Sequence, residues 1–193
     1  MTPFHIRQAT WADVPELNQL ITESARHLNA ANYTPAQVNS VIQHAYGVDS
    51  QLIFDGTYYV AEVNGRLVGC GGWSKRKTLY GNGHLQTVSD HTGLLDPRTD
   101  SAKIRAFFVH PQFARQGIGR ALLTVAEANA HRAGFARLEL IATLTGEPLY
   151  AAVGFAAQER YDMNLPDGTL FPVTRMTKTA VSAKSVAAEL LLV

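Results

Sequence analysis

Apolar and polar positions alternate along Phe4-His5-Ile6-Arg7-Gln8-Ala9, the two-residue period of a strand with one face buried. The period then lengthens. Val14, Leu17, Ile21, Ala25 and Leu28 recur at the spacing of one helical face and predict a helix from about Ala12 to Leu28. Thr10 and Asp13 offer caps for it, and Pro15 falls in its first turn, where a missing N–H costs little. Thr34-Pro35 opens a second helix, through Val38, Val41, Ile42 and Ala45 to a stop at Gly47. Tyr58 to Val63, then Asn64-Gly65, then Arg66 to Trp73 form a strong hairpin signal, two β-rich runs joined by a favoured turn dipeptide. Gly69, Gly71 and Gly72 are unusual in a strand because they contribute no packing. They mark either a bulge or close approach of a ligand, or a crowded crossing of the sheet.

In the second half, Ile104 to Val109 is a β-branched and aromatic run closed by His110-Pro111, and it reads as a strand. Ile118, Ala121, Leu122, Val125 and Ala126 follow one helical face to a stop at Gly134. Phe135 to Ala142 is then a strand parallel to the one ending at Val109, because a helix-length crossover joins them. Thr145 to Val153 predicts a short capped helix closed by Gly154. Phe155–Tyr161 and Phe171–Thr177 flank a turn at Pro166-Asp167-Gly168 as a closing hairpin. Ser74 to about Ser101 has no sustained period, and long aperiodic segments inside compact domains tend to be functional. It is the expected source of binding specificity. The tail from Val181, rich in Ala, Leu and Val, reads as helical, frayed or a homodimer contact.

With 193 residues, the chain has room for one domain with a full core, over about 1–180 with the 74–101 insert and a 181–193 tail. Hydrophobic residues at 46%, charged residues at 17% and a net charge of +1 exclude a disordered or nucleic-acid-coating protein. Cys70 is the one cysteine, so no intrachain disulfide forms, and no apolar run approaches the roughly 20 residues that cross a bilayer. With no signal-peptide pattern, a cytoplasmic location is expected, without membrane or nucleic-acid partners. His84 and His91 with Asp90 and Asp96 follow no zinc spacing, and no metal is expected.

The chemistry concentrates between Val109 and the following helix, at Arg115-Gln116-Gly117-Ile118-Gly119-Arg120. The first N–H groups of a helix lack intrahelical partners and sit at its positive end, so a glycine loop there suits a pyrophosphate. Arg115 and Arg120 add positive charge. The third glycine and acidic residue of the dinucleotide fingerprint are missing, as is the Gly-Lys-Ser/Thr of the NTPase loop.

This stretch resembles the acetyl-CoA loop of the GNAT superfamily of N-acetyltransferases, Gln/Arg-x-x-Gly-x-Gly/Ala after a strand ending Val-x-Pro. Two registers are open. If Gly117 and Gly119 are the signature glycines, the leading position falls on Ala114 with Arg115 beside it; read from Gln116, the pattern gives Gln116, Gly119 and Ala121. Tyr150-Ala151-Ala152-Val153-Gly154-Phe155 resembles a second motif of the family, Tyr-x-x-x-Gly-Phe, whose tyrosine protonates the departing thiolate. The Asn-x-x-Ala that often precedes it is replaced by Thr143 and Gly146.

The resemblance implies a single-domain α/β (mixed α+β) fold. Its sheet is mixed and mostly antiparallel, with a parallel strand pair at the cofactor site, helices on both faces, and the first two helices walling the acceptor cleft. It further implies acetyl-CoA bound by Phe107, Val109 and Arg115 to Arg120, with Tyr150 as the catalytic acid, and a splay beside the strand ending at Val109. The acceptor is then the primary amine of a small molecule or peptide. The family's base is commonly a glutamate near the start of that strand, where Lys103 stands here; Asp100, Glu62, His84 and His91 are substitutes, and none is preferred. The competing reading is a catalytically silent CoA-binding or sensory module of the same fold. A nucleotide-binding regulatory domain is disfavoured by the missing lysine and acidic partner.

Overall fold

The computed structural model describes residues 3–77 and 93–179. The elements are β1 (His5–Gln8), α1 (Val14–Leu28), α2 (Pro35–His44), α3 (Ser50–Phe54), β2 (Tyr58–Val63), β3 (Arg66–Ser74), β4 (Ala102–Val109), α4 (Ile118–Arg132), β5 (Arg137–Thr143), α5 (Glu147–Ala151), β6 (Ala156–Asn164) and β7 (Leu170–Thr179). The strands form one seven-stranded sheet in the order β1-β2-β3-β4-β5-β7-β6. Among the described strands, only β4 and β5 pair in parallel, across the α4 crossover.

Local chemistry sets the boundaries. Asp13 accepts from the Thr10 amide at 2.7 Å and hydroxyl at 3.0 Å, a reciprocal cap that starts a 3-10 turn feeding α1. Arg7 grips the same carboxylate with two nitrogens at 2.8 Å, which holds Asp13 down at about 2. Thr34 and Gln37 cap α2 reciprocally, with Pro35 at the first position. At α5 the N-cap position falls on Gly146 and no side chain caps it, unlike the capped start expected at Thr145. The short α3 was not foreseen; Asp49 starts it by accepting from the Leu52 amide at 3.1 Å.

Strand alternation divides the core between the sheet's two faces. Tyr59, Ala61, Ile104, Leu138 and Leu140 pack with α4 through Ile118, Leu122 and Ala126. Tyr58 and Val60 face the other way, towards Leu17, Ile21 and Leu52 of α1 and α3. Tyr33, Val38 and Val41 cover Phe171 and Val173 on that same side.

The glycines of β3 serve this packing. A Cβ on Gly69 would stand 2.7 Å from the Ile118 side chain, and one on Gly71 would stand 2.5 Å from the Phe107 ring. Crowding accounts for them, and the strand pairing also shifts register opposite Gly71, so the expected bulge is present as well. Positions 78–92 of the expected insert, with Tyr80, His84, Asp90 and His91, lie outside the described residues, as do 180–193 of the tail. The insert's described ends continue the sheet: Arg76 bridges Leu94, Lys77 N–H donates to Gly93 O at 3.1 Å, and Arg76 clasps Asp55 at 2.6 Å. No helix among the described residues is long and apolar enough to cross a membrane.

Candidate active site

β4 and β5 pair only at Ala102–Leu138 and Lys103–Glu139. Beyond that point they part and open a cleft of about 700 Å³. A bulge bends β4 there: its pairing with β3 jumps between Gly72–Arg105 and Cys70–Phe108, and Ala106 sits at φ 62, a left-handed backbone that side chains disfavour. The Ala106 carbonyl accepts from the Tyr58 hydroxyl at 3.4 Å and the Cys70 thiol at 3.7 Å, which holds the bulge from behind. His110 N–H donates to Val68 O at 2.9 Å, on the β3 side. Alternation then turns the N–H and C=O of Phe107 and Val109 to the edge that β5 has left. The Val109 amide is taken by Ser24 Oγ at 3.3 Å, leaving its carbonyl at that edge.

The loop after β4 presents donors. Arg115 (φ 64) and Gly117 (φ 86) both hold left-handed backbones, and the α4 N-cap at Gly117 has no side-chain cap. Among the described residues, no backbone or side-chain acceptor meets the amides from Arg115 to Arg120; the first loop-to-helix bond is Ala121 N–H to Gly117 O at 2.9 Å. No acidic residue stands in the first turn of α4. Unpaired amides in a nest at a helix start form an anion site. Arg115, Gly117, Ile118, Gly119 and Arg120 line the cleft, with Phe107 and Val109. Gln116 is not on that lining; its side chain donates to Gln112 O at 3.1 Å.

Tyr150 reaches the same cleft from α5. Its ring meets Phe107 edge-on at 6.4 Å and Phe155 at 5.9 Å, and no described group hydrogen-bonds its hydroxyl. Burial pushes the phenol above its ordinary value, so it stays protonated.

Two ion pairs complete the lining. Lys103 meets Glu139 at 3.2 Å where the strands part, with side chains 14% and 16% exposed. Arg105 meets Asp49 at 2.7 Å, deeper, at 8% and 2%. There burial dominates, raising the Asp49 carboxyl and lowering the Arg105 guanidinium against the pull of the pair. Neither carboxylate was singled out from the sequence. Of the substitutes weighed for the base, Glu62 is bound to Arg7 at 2.6 Å, Asp100 accepts from the Asp96 amide at 2.8 Å, and neither lines the cleft. His84 and His91 lie outside the described residues. Among the described residues no group of His, Cys, Asp and Glu is arranged to hold a metal.

A family model described as acetyltransferase (GNAT) matches residues 19–157, and the chain belongs to that family. No curated protein sequence matches it. Its fold is similar to that of a GCN5-related N-acetyltransferase from Rhodopseudomonas palustris (21% identity, TM-score 0.68), covering 93% of this chain and 96% of the other. PaiA N-acetyltransferase from Thermoplasma acidophilum, solved in complex with coenzyme A, follows at 16% identity and TM-score 0.64, covering 92% and 99%. The ribosomal-protein-S18-alanine N-acetyltransferase from Escherichia coli matches at 16% and 0.58, covering 94% and 97%.

Proposed function

We propose that the chain transfers the acetyl group of acetyl-CoA to a primary amine by direct attack in a ternary complex. One observation carries the reading: Arg115, Gly117, Ile118, Gly119 and Arg120, whose amides no described group claims, line one cleft with Tyr150, whose hydroxyl no described group bonds. The coenzyme A bound to the Thermoplasma relative supports the choice of donor. In this reading the pyrophosphate lies on those amides between Arg115 and Arg120, and the pantetheine arm runs along the free edge of β4. The Phe107 N–H and the Val109 carbonyl contact that arm.

The amine nitrogen attacks the thioester carbonyl carbon, the C–S bond breaks, and the thiolate takes its proton from Tyr150. Glu139, at the point where the strands part, takes the proton that the nitrogen loses, directly or through one water. Solvent restores both groups, and the products are an amide and free CoA. Asp49 is a poorer base, since it is 2% exposed against 16% for Glu139 and is held by the Leu52 amide as well as by its cation.

Calorimetric titration with CoA and thiol release in the presence of amines test this together. Expected are binding and amine-dependent release of one thiol per amide formed. Tight CoA binding with no transfer to any amine would make the chain the silent module instead; no CoA binding would sink both readings.

A further inference from the structure

The wall that carries α2 limits what can be acetylated. A peptide acceptor needs a way out for the chain behind its amine. Among the described residues, the gap between α2 and the β6–β7 hairpin is bridged shut. Gln37 Nε2 donates to Leu170 O at 2.8 Å, Ser40 Oγ to Asp167 Oδ2 at 2.7 Å, and His44 stands 3.6 Å from the same carboxylate. One residue, Tyr33, ties three segments. Its hydroxyl donates to Pro172 O at 2.7 Å and accepts from the Leu144 amide at 2.8 Å, while its ring stacks on Phe171 at 4.2 Å. Asn32 Nδ2 adds a bond to Thr145 Oγ1 at 3.0 Å. Beneath these ties Val38, Val41 and Leu165 fill the space.

What remains on that side is a chamber lined by Leu28, Ala45, Tyr46, Ile141, Phe171 and Val173, with the Tyr46 ring lying edge-on to Phe108 at 5.1 Å and to Phe171 at 6.4 Å. These six side chains are apolar apart from the Tyr46 hydroxyl, and Ser24, Asn29 and Thr143 also line the cleft. Among the described residues, the carboxylates lining the cleft are Asp49 and Glu139, and each already has a cation, Arg105 and Lys103. Beyond the one amine that faces Glu139, further ammonium groups would find no carboxylate free of a cation, and drawing Asp49 away would break its buried pair with Arg105.

Resting on the acetyltransferase reading above, the geometry points to a small monoamine with a compact apolar body as the acceptor, and not a protein terminus or a polyamine. The amine faces Glu139 and the body fills the chamber.

The test compares 2-phenylethylamine, an alanine-started hexapeptide and spermidine with acetyl-CoA, on the wild type and on Ala45→Phe and Leu28→Trp, which fill the chamber from the C-terminal ends of α2 and α1. Expected is kcat/KM at least tenfold higher for the phenylethylamine than for the other two. Each variant should raise its KM at least fivefold while CoA affinity stays within twofold. Equal or better use of the peptide or spermidine overturns the acceptor class and leaves acetyl transfer standing. Unchanged amine KM in both CoA-binding variants overturns the chamber, as does CoA binding without turnover of the phenylethylamine. Failure to bind CoA removes the underlying reading instead.

Discussion

Lys103 and Glu139 are the last residues that β4 and β5 pair, and their side chains close a 3.2 Å ion pair where the strands part. The carboxylate thus lies at the apex of the opening, 16% exposed, and the proposed reaction makes it the base for the attacking amine. Glu139→Gln keeps the side chain's size and removes its basicity. It should lower kcat by about 10²–10⁴ with CoA affinity unchanged, the usual contribution of a positioned base. Turnover within threefold of wild type would free Glu139 of the role.

The left-handed backbone at Gly117 gives a second expectation. A Cβ there meets nothing within 4 Å, so crowding is not the obstacle; φ +86 is. A β-branched residue disfavours that conformation by roughly 1–2 kcal/mol and pulls the loop towards φ below zero, which re-aims the amides. Gly117→Val should weaken CoA at least tenfold in a protein that still unfolds cooperatively in urea. Gly119, where a Cβ would stand 3.2 Å from a flexible Leu149 methyl, should tolerate alanine better. Equal losses at both positions would contradict the backbone argument.

The parts legible in the sequence were those fixed by neighbours along the chain. The Asn64-Gly65 hairpin, the Thr34-Pro35 helix start, the Gly117-Ile118 helix entry and the parallel crossover from β4 to β5 are all set within one or two elements. The cause of the β3 glycines was not legible, because the ring that excludes a Cβ at Gly71 belongs to Phe107, on another strand. Glu139 looked like an ordinary polar position in an alternating strand. Its place in the site follows from its register with Lys103, which no local pattern encodes. Asp49 and Arg105 are 56 positions apart, and only the folded sheet brings them together.

Cys70 gives a prediction in pH. It is fully buried, and burial pushes its thiol from the ordinary 9.0 up to about 12. A raised pKa means that the folded state keeps its proton longer than the unfolded chain does. The stability this represents is complete below pH 9 and is lost as pH climbs from 9 through 12. At pH 10 the loss is about 1.4 kcal/mol. Urea unfolding between pH 7 and 10 should show this decline in the wild type and a smaller one in Cys70→Ala, which lacks the buried thiol. In the native state at pH 8 the thiol should not react with Ellman's reagent, and it should react fully in denaturant. Rapid native-state reaction would mean that the β3–β4 layer opens.

Tyr150→Phe isolates the acid. The substitution keeps the ring that packs edge-on against Phe107 and Phe155, and it removes a hydroxyl that no described group bonds, so it should cost little stability. If the phenol protonates the departing thiolate, kcat should fall by about 10²–10⁴ while KM for acetyl-CoA changes little. Because burial holds this phenol above its ordinary value of 10.0, it remains a donor throughout the neutral and mildly alkaline range. The wild-type rate should therefore show no alkaline fall from Tyr150 below pH 10. Steady-state kinetics of both proteins across that range, at saturating amine and where chemistry limits the rate, decide the matter. A variant within twofold of wild type assigns the proton to water, and an alkaline fall near pH 8 that vanishes in the variant would contradict the buried, protonated phenol.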